Sequence, residues 1–207
     1  MPDTNSMAEQ TSKVAVITLS FWIIKVVTTT AGDLSGDMLS ISLGLGYVTA
    51  LIVAVSVMAA LLAFQLGARR FHYLLYWALI LLSSTVGAEI SDSMDRALHI
   101  GTLGGAAVFL ACLVATLSIW RLSSGKIRFY PVIKRQDEAF YWTAAIFANC
   151  LGSAIGDLVG DRLGFGVLGG VAVNAGVLAF LVMLRFKTKA NRGVLFWVAF
   201  VFSRVSF

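Results

Sequence analysis

Four aromatic–tryptophan pairs recur along the chain: Phe21-Trp22, Tyr76-Trp77, Tyr141-Trp142 and Phe196-Trp197. The tryptophans are 55, 65 and 55 residues apart, and positions at fixed offsets from the first three repeat with them. Seven residues on stands a small polar side chain (Thr29, Ser84, Asn149), ten on a glycine (Gly32, Gly87, Gly152), and fifteen on an aspartate (Asp37, Asp92, Asp157). Further along, "GTLGGAAV" from Gly101 matches "GVLGGVAV" from Gly166 almost residue for residue, with "GLGYVTA" from Gly44 as a shorter counterpart. A period of this length means that one supersecondary unit is reused, so the fold has to be assembled from copies of it.

The nature of the unit follows from what lies between these positions. Apolar blocks occupy about 14–32, 41–66, 73–90, 98–120, 140–156, 164–184 and 193–207, in a chain that is 58% hydrophobic and 13% charged. Most blocks approach the 20 or so residues that cross a hydrocarbon core of about 30 Å. The expected fold is an all-α membrane protein of about seven transmembrane helices, arranged as parallel helical-hairpin repeats. Each unit makes two spans and returns the chain to its starting side, so successive units point the same way. The hairpins fall at about 14–66, 73–120 and 140–184, with a partial copy at 193–207. That last block would reach only about 22 Å as a helix, and the last repeat reads as incomplete. Residues 1–13 are polar and lack a signal-peptide pattern. They read as a cytoplasmic segment ahead of a single transmembrane domain, 14–207.

Lys13, Arg69, Arg70, Arg121, Lys126, Arg128, Lys134, Arg135, Arg185, Lys187, Lys189 and Arg192 make up 12 of the 16 basic residues, and all fall on one side of this topology. The positive-inside rule places that side, with the N-terminus, in the cytoplasm. Topology therefore accounts for the net charge of +5, and no nucleic-acid partner is implied. Cys112 and Cys150 fall inside helices with no metal-ligand spacing, and His72 and His99 stand singly, so no zinc site is expected. The chain carries no nucleophile elbow, no His–acid pairing and no nucleotide loop, and it is not read as an enzyme.

Seven of the 11 acidic residues (Asp33, Asp37, Glu89, Asp92, Asp95, Asp157, Asp161) gather at the outer ends of the first, third and fifth helices. On a 3.6-residue helix, Thr29, Asp33, Gly36 and Asp37 share one side. Ser84 to Asp92 and Asn149 to Asp157 repeat the stripe. Carboxylates, hydroxyls and amides of this kind suit hard cations such as Mg²⁺, Mn²⁺ or Ca²⁺, and ionisable groups within a membrane mark ion or proton paths. Asp37, Asp92, Asp157, Asp33, Glu89, Thr29, Ser84 and Asn149 are the candidate cation-path residues. Lys25, three residues after its Trp, and Arg204, seven after its own, are candidates for ion pairing with the acids or for coupling. A blander account leaves the acids as solvated turns and the Gly-x-x-x-Gly spacings as helix packing.

The repeated aromatic-Trp, Gly-x-x-x-small-Asp pattern, carried by residues 22–37, 77–92 and 142–157 with Trp197 opening a fourth copy, resembles a bacterial family of repeat-containing inner-membrane proteins described only as uncharacterised membrane-anchored proteins. The resemblance implies a multi-pass protein of the bacterial inner membrane and carries no activity with it. Two functions are then open. One is a transporter or channel for a small cation, with no cofactor beyond a possible bound divalent ion. The other is a non-catalytic subunit or anchoring factor, in a homo-oligomer or a larger membrane complex.

Overall fold

The structure is a computed structural model that describes residues 12–68, 70–97, 100–127, 129–187 and 191–204. Residues 1–11 of the polar segment, and Arg69, His99, Arg128 and Lys189, lie outside the described residues. Among those described there are seven α-helices and no strand: α1 Leu19–Asp37, α2 Tyr47–Gly67, α3 Tyr73–Asp92, α4 Thr102–Ser124, α5 Arg135–Asp157, α6 Gly166–Lys187 and α7 Arg192–Phe202. Helices α2 to α6 are long and apolar enough to cross a membrane. The 19 residues of α1 span about 28 Å, but Lys25, Asp33 and three consecutive threonines make it less apolar than its neighbours.

The helix limits differ from those of the apolar blocks. Instead of opening at 14, α1 begins after Thr18, whose hydroxyl accepts from the Phe21 amide at 3.2 Å. Residues before it are tied elsewhere: the Lys13 amide donates to the Val132 carbonyl at 2.8 Å. At its other end α1 runs through Gly32 to Asp37 instead of stopping at 32. No proline interrupts it, and α3 covers its glycines, so the usual cost of glycine in an exposed helix is reduced. Helix α5 opens at Arg135, ahead of its apolar block, with Asp137 and Glu138 in the first turn. Acids there complement the positive end of the helix dipole.

Three equivalent turns join the helices within each hairpin. Each of α1, α3 and α5 widens at its end into a single π turn, Met38–Ser42, Ser93–Ala97 and Leu158–Arg162. The next helix then starts at a glycine with positive φ: Gly46 (74°), Gly101 (79°) and Gly166 (63°). A side chain is strained in that backbone region, which explains why this glycine recurs.

The first helices of the units form a closed ring. α1 packs on α3, α3 on α5, and α5 on α7. α7 returns to α1, where Lys25 Nζ donates to the Phe200 carbonyl at 3.0 Å and to Ser203 Oγ at 2.8 Å. The aromatic pairs show the symmetry directly. Phe21 meets Trp77, Tyr76 meets Trp142, and Tyr141 meets Trp197, with ring centroids 5.7, 5.4 and 5.8 Å apart. Phe196 then meets Trp22 at 5.8 Å and closes the circle.

The second helices lie outside this ring, each against the following unit: α2 on α3, α4 on α5, and α6 on α7. The two helices of one hairpin are splayed and meet chiefly near their turn. The outward faces are apolar, as at Ile52, Leu110 and Leu168, which are 60%, 51% and 85% exposed. Lipid is the solvent that such a face suits. At the end bearing the basic loops, Lys13 Nζ pairs with Glu138 Oε2 at 2.8 Å, and Gln65 Nε2 donates to Glu138 Oε1 at 2.9 Å. The other end carries the acids.

Candidate functional site

The ring stacks repeat-equivalent residues in layers along its axis. The aromatic layer stands nearest the basic end. Four residues further along come Lys25, Ile80, Ala145 and Phe200, all wholly buried. Another turn along come Thr29, Ser84, Asn149 and Arg204, again buried, with Arg204 the least so at 1% exposure. Arg204 is thus the fourth member of the small polar set at offset seven. The repeat spacing contains that signal, but the change from a small polar residue to arginine hides it.

Glycine makes the layers possible. A methyl on Gly32 would sit 2.5 Å from the Leu81 carbonyl and 2.8 Å from Ser84 Cβ. On Gly87 it would sit 2.8 Å from Arg204 Nη1, and on Gly152 2.8 Å from the Val201 carbonyl. The glycine ten residues after each Trp therefore receives the next unit's helix beside its offset-seven residue, three times in succession. Small residues allow this backbone approach between membrane helices.

The charged groups are bonded across the axis. The Arg204 guanidinium engages both Asp33 oxygens, Nε to Oδ2 at 3.3 Å and Nη2 to Oδ1, while Nη1 donates to the Asn149 carbonyl at 2.6 Å. Two-pronged contact of this kind is the strong form of a carboxylate–arginine pair. The Ser84 hydroxyl reaches Asp33 Oδ1 at 2.8 Å and the Thr29 carbonyl at 3.0 Å. Thr29 turns its own hydroxyl back to the Lys25 carbonyl at 2.9 Å. Asn149 Nδ2 donates to Ser83 Oγ at 2.8 Å, and its Oδ1 has no hydrogen-bond partner among the described residues. Asn174 on α6 donates to the Arg204 carbonyl at 2.9 Å, which brings an outer helix to the site. Ser83, Asn174 and Ser203 also belong to this network; Ser83 and Ser203 stand six residues after their tryptophans, as Thr28 does, whereas Asn174 has Phe109 at the equivalent place.

Lys25 is different. Among the described residues it makes no ion pair, and its ammonium also lies 3.9 Å from the centre of the Phe200 ring. A carbonyl, a hydroxyl and an aromatic face are its partners. The axis thus holds two buried basic side chains and one partly buried carboxylate.

The other acids lie beyond this network, toward the ends of the first helices. Asp37 is exposed, while Asp92 and Asp157 are half-buried; Ser91 Oγ donates to Asp157 Oδ2 at 3.3 Å. Glu89 is 2% exposed, and its Oε2 has no hydrogen-bond partner among the described residues. The structure therefore joins Asp33, Ser84, Thr29, Asn149, Lys25 and Arg204 along one axis, and leaves Asp37, Asp92 and Asp157 nearer the rim. Among the described residues, no three His, Cys, Asp or Glu side chains gather closely enough to hold a metal ion. A hollow lined by Ala63, Phe64, Gly67, His72 and Leu74 is apolar and belongs to the opposite, basic end.

Splayed hairpins in tandem, closed into a ring around a polar axis, define a multi-pass, all-helical membrane repeat protein. The chain matches the model of a family described as Repeat of Unknown Function (DUF347) over residues 20–71, 75–126 and 140–191, and it belongs to that family. Each matched stretch holds most of one ring helix, its π turn and the outer helix that follows. No curated protein and no solved structure matches the chain.

Proposed function

We propose that the protein is a transporter for a small cation, moved along the axis of the ring in the inner membrane of a bacterium, with the basic end in the cytoplasm. The observation that carries this reading is the line of ionisable side chains between membrane helices, Lys25 and Arg204 buried and Asp33 partly so. Such groups are costly in that setting, and their usual use is in ion or proton paths. The acidic rim favours the reading too, because carboxylates at a mouth raise the local concentration of cations. A divalent ion stripped of water requires six to eight oxygen ligands, or octahedral geometry for Mg²⁺. Backbone and hydroxyl oxygens would have to supply most of them, so a monovalent cation or a proton fits better than the divalent metal first suggested by the acidic turns.

In the arrangement described, the path is shut. Arg204 lies across the axis and the glycine seats are filled, so transport requires the Arg204–Asp33 contact to open. The same close packing favours a second reading, a static membrane subunit that anchors or assembles a larger complex. Flux in proteoliposomes separates the two. Wild-type protein is expected to move protons or a monovalent cation above the rate of protein-free vesicles. Asp33→Asn, monodisperse by size exclusion, is expected to lower that flux by about tenfold or more. Wild-type flux no greater than that of empty vesicles would overturn the transport reading in favour of the static subunit.

A further inference from the structure

Glu89 is a buried acid of the acidic end that the network around Arg204 does not reach. It sits near the end of α3, with Oε1 against Gly36 of α1: a methyl on that glycine would come within 3.0 Å of the carboxylate oxygen. The Ser40 hydroxyl is beside it, and the charged groups bearing on it are Asp37 of α1 and Asp92 of its own helix, both acids. Among the described residues, the other helices packed on α3 bring no base to it. α2 has no charged residue at all, and the charge of α5 at this end is Asp157. Asp33, further along α1, is already matched by Arg204.

A carboxylate without water, a base or a full set of donors is strongly disfavoured. Something must neutralise it. A metal ion would need several more oxygen ligands in place, and among the described residues no such group of acids exists. A proton needs only the carboxyl itself. We propose that Glu89 is an exchangeable proton site of the acidic end, protonated while α1 and α3 are closed at Gly36 and releasing its proton to water at the Asp37–Asp92 mouth when they part. This deepens the transport reading by naming the proton as the ion held there, and its test does not depend on flux.

The test is labelling of the purified full-length protein in mild detergent with dicyclohexylcarbodiimide, a hydrophobic reagent that adds to protonated carboxyls in apolar surroundings. The carboxyl O–H adds across one C=N bond, the proton passes to nitrogen, and the adduct rearranges to a stable acylurea with no group lost. Peptide mass spectrometry is expected to find Glu89 modified about tenfold more than exposed Asp37, and its labelling should fall as the pH is raised. Glu89→Gln should remove that label and leave the others. Should the variant fail to fold, the wild-type pH series decides alone. Glu89 unlabelled at the lower pH, labelled no more than Asp37, or labelled independently of pH would each overturn the proposal. Labelling as expected without any flux would leave the proton site standing and remove the transporter; flux with Glu89 unlabelled would do the reverse.

Discussion

Arg204 and Asp33 hold each other inside a helical ring where neither could remain alone. Removing one partner of a buried pair leaves an uncompensated charge, at a cost of about 3–5 kcal/mol. Asp33→Asn is therefore expected to lower the thermal unfolding temperature in detergent sharply, and pairing it with Arg204→Met should recover part of the loss. Strict additivity of the two changes would mean that the contact carries no energy. The glycine seats can be tested in the same assay. Gly32→Ala places a methyl 2.5 Å from the Leu81 carbonyl, and overpacking of that kind costs about 1–3 kcal/mol or more. Gly67→Ala, which meets nothing within 4 Å, should stay within about 0.5 kcal/mol of wild type. The repeat made Gly32, Gly87 and Gly152 legible as packing positions, together with the polar layer of Thr29, Ser84 and Asn149. By the repeat, Asp37 and its counterparts rank ahead of Asp33, because Ala88 and Ser153 replace Asp33 in the other units. Repetition reports what every unit shares, which here is close approach. The cross-axis ion pair belongs to two units only, and just the closed ring reveals that Arg204 comes round to α1.

Along each hairpin, the informative relation is between neighbours in different units. α2 leans on α3, and α1 packs on α3 and meets α7 through side chains, so the loop joining α1 to α2 does little to hold either in place. A protease site introduced at Gly44, where a side chain would meet nothing, is expected to give two fragments that still co-elute in size exclusion after cleavage. Separation of the fragments would show that the hairpin is the cohesive unit after all. Helix number and order were readable from apolar blocks of membrane length, and the reversals from their glycines. The ends were less so. Apolarity stops at 32 in the first unit while the helix continues to Asp37, because a polar stripe turned toward a neighbouring helix lowers hydropathy without breaking backbone bonds. Helix α5 likewise starts before its apolar run, at charged residues that suit a helix N-terminus. Hydropathy describes the solvent a segment prefers, and the partner of its polar face lies elsewhere in the chain.

For the molecule as a whole, the ring combines near fourfold order with one departure from it. The longer 65-residue interval inserts the connection between α4 and α5, and this is the stretch whose Val132 carbonyl receives the Lys13 amide. Symmetry is thus broken at the basic end, where the segment before α1 is fastened, while the layers beyond keep it. Ring closure also has a consequence in time. Lys25 and Asp33 enter early in synthesis, yet the groups that satisfy them, Phe200, Ser203 and Arg204, stand 171 to 178 residues later. Until α7 has been made, the first helix carries its charges with nothing on the far side to answer them. An early helix so poorly suited to lipid is a natural client for the insertion machinery or a membrane chaperone. The charged groups of the axis meet their partners only when α7 arrives, so a correctly assembled copy first differs from a defective one once that helix is in place.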